Sequence, residues 1–99
     1  MTPATLRFET GYDPAGDVLY FSAVGTVADG ADEDPDTGLL WRFDQDGRVI
    51  GISVADAGER SQDDIQKIAA EIAQAIDWSV DAVRSAFAQC VPPLRDAGE

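Results

Sequence analysis

The sequence predicts an α+β fold: a four-stranded antiparallel β-meander with one face covered by a helix, followed by a second short helix. Two observations support this prediction. Apolar and polar residues alternate through 39–54 around an Asp-Gly pair, the pattern of a β-hairpin with one buried face. Isoleucines and alanines recur every three or four residues through 65–76, the pattern of an amphipathic helix. With 99 residues, 44% of them hydrophobic, the chain has the size and composition of one globular domain, residues 1–99.

Two short strands are predicted before the hairpin. Residues 5–10 alternate apolar and polar side chains, as a strand with one buried face does. Residues 11–16 have the composition of a turn, with an Asp-Pro step and a glycine. Residues 17–24 are rich in β-branched and aromatic side chains, so we expect the more central strand there, paired with the first as a hairpin.

The hairpin at 39–54 supplies the other two strands. Its turn is Asp46-Gly47, where glycine tolerates a positive φ. The side chains expected on its buried face are Leu39, Trp41, Phe43, Ile50, Ile52 and Val54. The four strands are expected in consecutive order within residues 1–57.

An acidic connection precedes the hairpin. Residues 25–38 carry five acids between positions 29 and 36, and a proline and glycines argue against regular structure there. The predicted sheet leaves its second face partly apolar, through residues such as Leu40 and Val49. Packing that face against a second copy or a partner would bury it, so we expect a homo-oligomer, most simply a dimer.

Two helices are predicted after the sheet. The first spans 61–77, with Ser61 as its N-cap, and the second spans 79–91, with Ser79 as its N-cap. A proline pair ends the second helix, and a loose tail is expected at 92–99. The apolar stripe of the first helix is Ile65, Ile68, Ala69, Ile72, Ala73 and Ile76. The stripe of the second is Val80, Val83 and Phe87.

Acidic residues dominate the charge of the chain. Nineteen acids against seven bases give a formal net charge of -12, which repels nucleic-acid phosphates and anionic lipids and so disfavours binding to either. No apolar run has the length of a membrane span and no secretory signal is evident, so a cytoplasmic location is expected by default. The acidity has two interpretations: solubility, including in a salty cytoplasm, or complementarity to a basic protein partner.

The sequence contains no residue constellation typical of an enzyme. Histidine, the commonest general base and metal ligand, is absent, and a single cysteine excludes an internal disulfide. Cys90 has no evident base to activate it, so a half-buried position at a helix end is expected. Trp41 is expected in the core, and Trp78 is expected to pack against Val83 at the start of the second helix. We therefore expect a non-enzymatic protein without catalytic residues, metal ligands or cofactor.

Two groups of acids could nevertheless act chemically. Asp13 and Asp17, with Tyr20, resemble a carboxylate pair for acid–base work, but a turn and a strand entry explain them. The acids of 29–36 offer the hard oxygen ligands that calcium and magnesium prefer. Binding of a divalent cation or a small ligand by this acidic loop stays open as the alternative function.

The hairpin turn resembles part of a calcium loop. Asp44 and Asp46 stand at alternate positions before Gly47, as the ligands of such a loop do. Arg42, however, is a cation where a ligand should precede them, and Ser53 stands where a bidentate glutamate should follow. A tight turn with glycine in the left-handed region explains the same residues.

Three motifs occur in a fixed order along the strands. They are Tyr12-Asp13-x-x-x-Asp17-x-Leu19-Tyr20, Phe43-Asp44-x-Asp46-Gly47-Arg48-x-Ile50-Gly51-Ile52 and Asp56-Ala57. Over about residues 12–57 they resemble a family of small, mostly bacterial proteins catalogued as a domain of unknown function, number 2283. The resemblance implies a β-meander followed by a helix, and no established catalysis. Because some members lie beside small toxin-like genes, it also implies an antitoxin role.

The chain departs from that family pattern in three places. Ser53 and Ala55 stand where glutamate and leucine are usual, the acidic connection is long, and the two-helix segment after residue 60 exceeds the usual short ending. The expected function is a non-enzymatic, acidic protein-interaction module that self-associates and neutralises a basic partner, as an antitoxin does.

Overall fold

The computed structural model describes residues 6–90, which form one five-stranded antiparallel sheet followed by two helices. The α+β class, the antiparallel sheet and both helices are as predicted. The tail predicted at 92–99 lies outside the described residues, as does residue 91. The strands are β1 (Phe8–Asp13), β2 (Val18–Ala23), β3 (Gly30–Asp34), β4 (Leu39–Phe43) and β5 (Val49–Val54). A 3₁₀ turn (Ala57–Glu59) then leads to α1 (Gln62–Ile76) and α2 (Val80–Cys90).

The sheet has one strand more than the sequence predicted. β3 lies in the connection expected to be irregular, and it pairs with β4 from Gly30 opposite Phe43 to Asp34 opposite Leu39. It shows no apolar alternation because it is an edge strand, with four of its five residues exposed. Gly38 closes the β3–β4 turn at a φ of 75°. Backbone pairing with β4, and not side-chain burial, therefore defines this strand.

The consecutive strand order expected from the sequence is also wrong. The observed order is β1-β2-β5-β4-β3, so the hairpin at 39–54 forms as predicted but places its second strand, β5, beside β2. Every residue of β5 from Ile50 to Val54 is buried, whereas in β4 only Leu39 is. The segment with more apolar surface to bury takes the centre of the sheet, and β4 is left to pair with the exposed β3.

The core lies between one face of the sheet, the inner face, and the two helices. Phe21, Ile52 and Trp41 form one row across the inner face, and Leu19, Val54 and Leu39 form the next. The predicted stripe of α1 packs on these rows, with only Ile65 half-buried. From α2, the residues Val83, Ala86 and Phe87 are buried. Val80 was predicted in this stripe but is 38% exposed.

Serine caps begin both helices, as predicted. Ser61 Oγ accepts from the backbone N–H of Asp64 at 3.1 Å, and Ser79 Oγ accepts from that of Ala82 at 3.0 Å. These bonds satisfy N–H groups that have no partner within the first turn of a helix. Between the helices, the Trp78 ring packs edge-on against Phe21, with 5.7 Å between the ring centroids.

Candidate functional site

The sheet has a second face, the outer face, on the side opposite the described helices. Side chains alternate between the two faces of a strand, and the buried residues of α1 and α2 all belong to the inner-face core. Strand pairing aligns the outer-face residues of β1, β2, β5 and β4 in two rows. The Arg42 row reads Glu9, Ser22, Gly51, Arg42. The Tyr20 row reads Gly11, Tyr20, Ser53, Leu40.

Arg42 is the one basic side chain in these two rows, and it lies across the central strand. Its Nη1 donates to Ser53 Oγ at 2.7 Å. A methyl group on Gly51 would lie 3.4 Å from Arg42 Cβ and 3.6 Å from Cδ, so the arginine stem fills the space above the glycine. Within residues 6–90 the ion pairs are Arg48–Asp44 and Arg60–Asp64 and do not include Arg42. Its remaining N–H groups can therefore bind a carboxylate.

Several apolar side chains lie outside the core. Val18, Tyr20, Leu40 and Phe43 are half-buried, and none of them belongs to the core or packs against it. The sequence predicted an outer position for Leu40 correctly. On the outer face, Tyr20 and Leu40 flank the buried Ser53, whose hydroxyl accepts from Arg42.

A bulge between β4 and β5 changes the face on which Val49 lies. The register between β4 and β5 shifts after Arg42, so that Phe43 pairs with Val49 and Ile50 is passed over. As a result Val49, predicted on the outer face, packs against the core, and its partner Phe43 shares that face but, contrary to the prediction, does not belong to the core. Alternation alone cannot predict this change at Val49 because it assumes an unbroken register.

Asp17 joins the β1–β2 hairpin to the 3₁₀ turn. Its carboxylate accepts a hydrogen bond from Tyr12 Oη at 2.7 Å and from the backbone N–H of Gly58 at 2.9 and 3.1 Å, one distance to each oxygen. Its carbonyl oxygen accepts from the N–H of Ala57 at 3.0 Å. The bond to Asp17, partial burial and the charges of Asp17 and Asp13 raise the pKa of Tyr12 from 10.0 to about 12.

The two carboxylates considered from the sequence as an acid–base pair both accept hydrogen bonds from backbone groups of turns. Asp13 Oδ1 accepts from the backbone N–H of Ala15 at 3.1 Å, which makes it a turn residue. Tyr20 lies on the outer face, whereas Asp17 bonds Tyr12, which packs against the core. These residues act as hairpin and turn elements.

A different group of carboxylates comes together, from distant parts of the chain. One oxygen of each of Asp17, Asp56 and Glu59 lies within 4.8 Å of the others. Asp56 and Glu59 are exposed, and the Asp17 carboxylate already accepts the hydrogen bonds described above. We therefore assign no ligand to this group of carboxylates. The sequence did not predict it because turns from separate segments bring it together.

Asp44 folds its carboxylate back onto its own turn. Oδ1 accepts from the N–H groups of Asp46 and Arg48 at 2.9 and 3.0 Å, and Oδ2 accepts from Arg48 Nε at 2.8 Å. The hydrogen bond from the Arg48 backbone is the largest cause that lowers the pKa of Asp44, supported by the Arg48 side chain. Gly47 has a φ of 83°. The tight turn predicted here is confirmed.

The acids of 29–36 do not converge. Those on β3 alternate between the two faces of the strand, since Asp32 and Asp34 face one side and Glu33 the other. Asp34 Oδ1 accepts from the N–H of Asp36 at 3.0 Å in the following turn. In the described range, none of these acids belongs to a group of three close carboxylates.

Cys90 and the two tryptophans have structural positions. Trp41, Trp78 and Cys90 all pack against the core and are partly buried. The thiol, at the end of α2, lies 3.7 Å from Thr10 Oγ1. An open cleft of about 380 Å³ lies elsewhere, at one end of the sheet, lined by residues 25–29, 44–46 and 48. Its arginine, Arg48, is already paired with Asp44.

The fold and the outer face define a small α+β domain whose sheet is covered by the described helices on one side only. Residues 10–57 match the family described as "Protein of unknown function (DUF2283)", so the resemblance drawn from the motifs is confirmed. The matched segment runs from β1 to the 3₁₀ turn, and the two helices lie beyond it. No curated protein and no solved structure matches the chain. Neither α1 nor α2 is long and apolar enough to cross a membrane.

Proposed function

We propose that the protein is a non-enzymatic, acidic interaction module that forms a homodimer through the outer face of its sheet. The supporting observation is the set of half-buried apolar side chains that lie on this face, outside the core: Val18, Tyr20 and Leu40. Apolar surface of this kind gains free energy when a second chain removes it from water.

The state of the carboxylates supports a non-catalytic role. Asp13, Asp17 and Asp44 each accept hydrogen bonds from backbone N–H groups of nearby turns. General acid–base catalysis needs carboxylates that face a substrate and titrate at separated pKa values. These three hold turns together instead.

The dimer is proposed to neutralise a basic protein in a bacterial cytoplasm, as an antitoxin does. Two features support this part of the proposal: the net charge of -12, and the edge strand β3, whose acidic side chains are largely exposed. A basic surface complementary to this field would associate rapidly and in the correct orientation. Capture from native lysate at low salt is expected to recover a basic protein, and recovery of none would contradict this role.

The self-association is tested by Leu40→Glu, with Val27→Glu as its matched control. Both variants add one negative charge, but Leu40 lies on the outer face whereas Val27 is 83% exposed in the β2–β3 connection. Sedimentation equilibrium should show a dimer for the wild type and for Val27→Glu. Leu40→Glu should weaken dimerisation at least about tenfold, since a buried carboxylate without a partner is costly. A wild type that stays monomeric at all concentrations would contradict the proposal.

A further inference from the structure

We infer that the two copies pack face to face about a two-fold axis that runs parallel to the strands, between β2 and β5. The inference rests on the proposed self-association and specifies its geometry. Two sheets that pack face to face keep their strands within about 30° of each other, so the rows of one copy lie over the rows of the other. A two-fold axis parallel to the strands keeps each row at its height but reverses its order. The face must therefore be complementary to its own reversed image.

Side-chain size in the Tyr20 row satisfies this condition. Across β1, β2, β5 and β4 the row reads small, large, small, large: Gly11, Tyr20, Ser53, Leu40. Reversal about the proposed axis sets Leu40 opposite Gly11 of the second copy and Tyr20 opposite its Ser53, where the ring would meet the Arg42 guanidinium bonded to that serine. No atom lies within 4 Å of the position that a side chain on Gly11 would occupy, so the space above it is open for a leucine.

Charge in the Arg42 row satisfies the same condition. The row begins with Glu9 on β1 and ends with Arg42 on β4, so reversal sets each arginine opposite the glutamate of the other copy. Arg42 uses one nitrogen on Ser53, and Glu9 is exposed on the edge strand. Each dimer would thus contain two symmetric Arg–Glu pairs. Between them lie only Ser22 and Gly51, which leave room for the arginine stems.

Other axes parallel to the strands do not achieve this match. An axis along β5 would place Leu40 opposite Tyr20, large against large, and Arg42 opposite Ser22. An axis between β5 and β4 would place Tyr20 opposite Glu33 of β3. Within the Arg42 row, only an axis between β2 and β5 places the arginine opposite an acid.

The test is a charge exchange between Arg42 and Glu9. Arg42→Glu alone would set glutamate against glutamate twice, and Glu9→Arg alone would set arginine against arginine twice. Each should weaken homodimerisation at least about tenfold in sedimentation equilibrium. An equimolar mixture of the two variants restores both opposite-charge pairs and should form a heterodimer close to wild-type affinity. The double variant Glu9→Arg/Arg42→Glu restores them in one chain and keeps the wild-type net charge.

Matched controls separate this geometry from a general effect of charge. Glu71→Arg and Arg84→Glu make the same charge changes at exposed positions on α1 and α2, and they should leave dimerisation within about twofold of wild type. Circular dichroism checks that each variant folds. If Arg42→Glu does not fold, the mixture is made with Arg42→Gln. This variant should bind Glu9→Arg more tightly than it binds a second copy of itself. If the wild type dimerises but both single variants dimerise equally well, the inference is overturned while the self-association stands. The same holds if neither the mixture nor the double variant restores dimerisation. A monomeric wild type would overturn both.

Discussion

At the scale of single residues, Tyr12 and Asp17 show how a partly buried polar contact holds two segments together. The phenol donates to a carboxylate that also accepts from the backbone of Gly58, so the β1–β2 hairpin is fastened where the chain leaves β5 for α1. A hydrogen bond to a charged group is stronger than one between neutral groups. Asp17 sits in the left-handed region, at a φ of 54°, which aspartate tolerates better than most residues.

The raised pKa of Tyr12 predicts that the folded protein loses stability at high pH. Its folded pKa, about 12, lies above the ordinary 10.0, so this contribution to stability is complete below pH 10 and is lost as the pH rises towards 12. The sequence holds two tyrosines, so Tyr20→Phe leaves Tyr12 as the sole phenol. Phenolate absorbance in that variant should titrate at about 12, and addition of Asp17→Asn should lower the midpoint. A titration midpoint of about 10 in the Tyr20→Phe variant alone would contradict the raised pKa of Tyr12.

At the scale of elements, α1 covers the centre of the inner face. Its stripe is buried in the same core as β5, and Arg60 connects its first turn to the sheet by donating to the Ala55 carbonyl oxygen at 2.9 Å and to Asp64 at 2.7 Å. Most of the stability of a helix of this length comes from such packing and not from its intrinsic propensity.

Removal of one stripe residue should show this directly. Ile72 is fully buried, so Ile72→Ala should lower the free energy of unfolding in urea by about 2–5 kcal/mol, the usual cost of a cavity of this size. Gln74→Ala, on the exposed side of the same helix, should change it by no more than about 0.5 kcal/mol. Equal effects of the two substitutions would contradict the proposed packing.

The periodicity of the sequence predicted those elements that are local. The hairpin at 39–54 and the stripe at 65–76 each bury one face, and each pattern is complete within a short segment. β3 and the strand order could not be found in this way, because β3 is defined by backbone pairing and the position of β5 by burial over the whole sheet.

The candidate site was predictable only in part, for the same reason. Leu40 was expected on the second face from alternation. The proposed opposition of Glu9 and Arg42 in the dimer depends on a strand order that the sequence did not predict. The contact between Asp17 and Gly58 joins residues 41 positions apart.

At the scale of the whole molecule, the net charge of -12 acts on every association. Two copies repel each other at long range, and this repulsion opposes the two Arg–Glu pairs of the proposed dimer. A basic partner would instead be attracted by the same field.

Salt should therefore affect the two associations in opposite directions. A rise from 0.01 M to 0.15 M salt shortens the screening length from about 30 Å to about 8 Å. Over this range the dissociation constant of the homodimer should fall, and that of a complex with a basic protein should rise. Sedimentation equilibrium and surface plasmon resonance measure the two constants. A dimer that weakens steadily with added salt would show that short-range ion pairs dominate its formation.

The acidic edge strand also limits how large an assembly can become. If a second β3 were to add edge to edge, its aspartates and glutamate would meet the same residues of its neighbour, like charge against like charge. Growth of the sheet into fibrils is disfavoured at this end, even though the backbone there has free hydrogen-bonding groups. In the proposed dimer the outer face would bind a second copy, whereas the β3 edge would repel the addition of further copies.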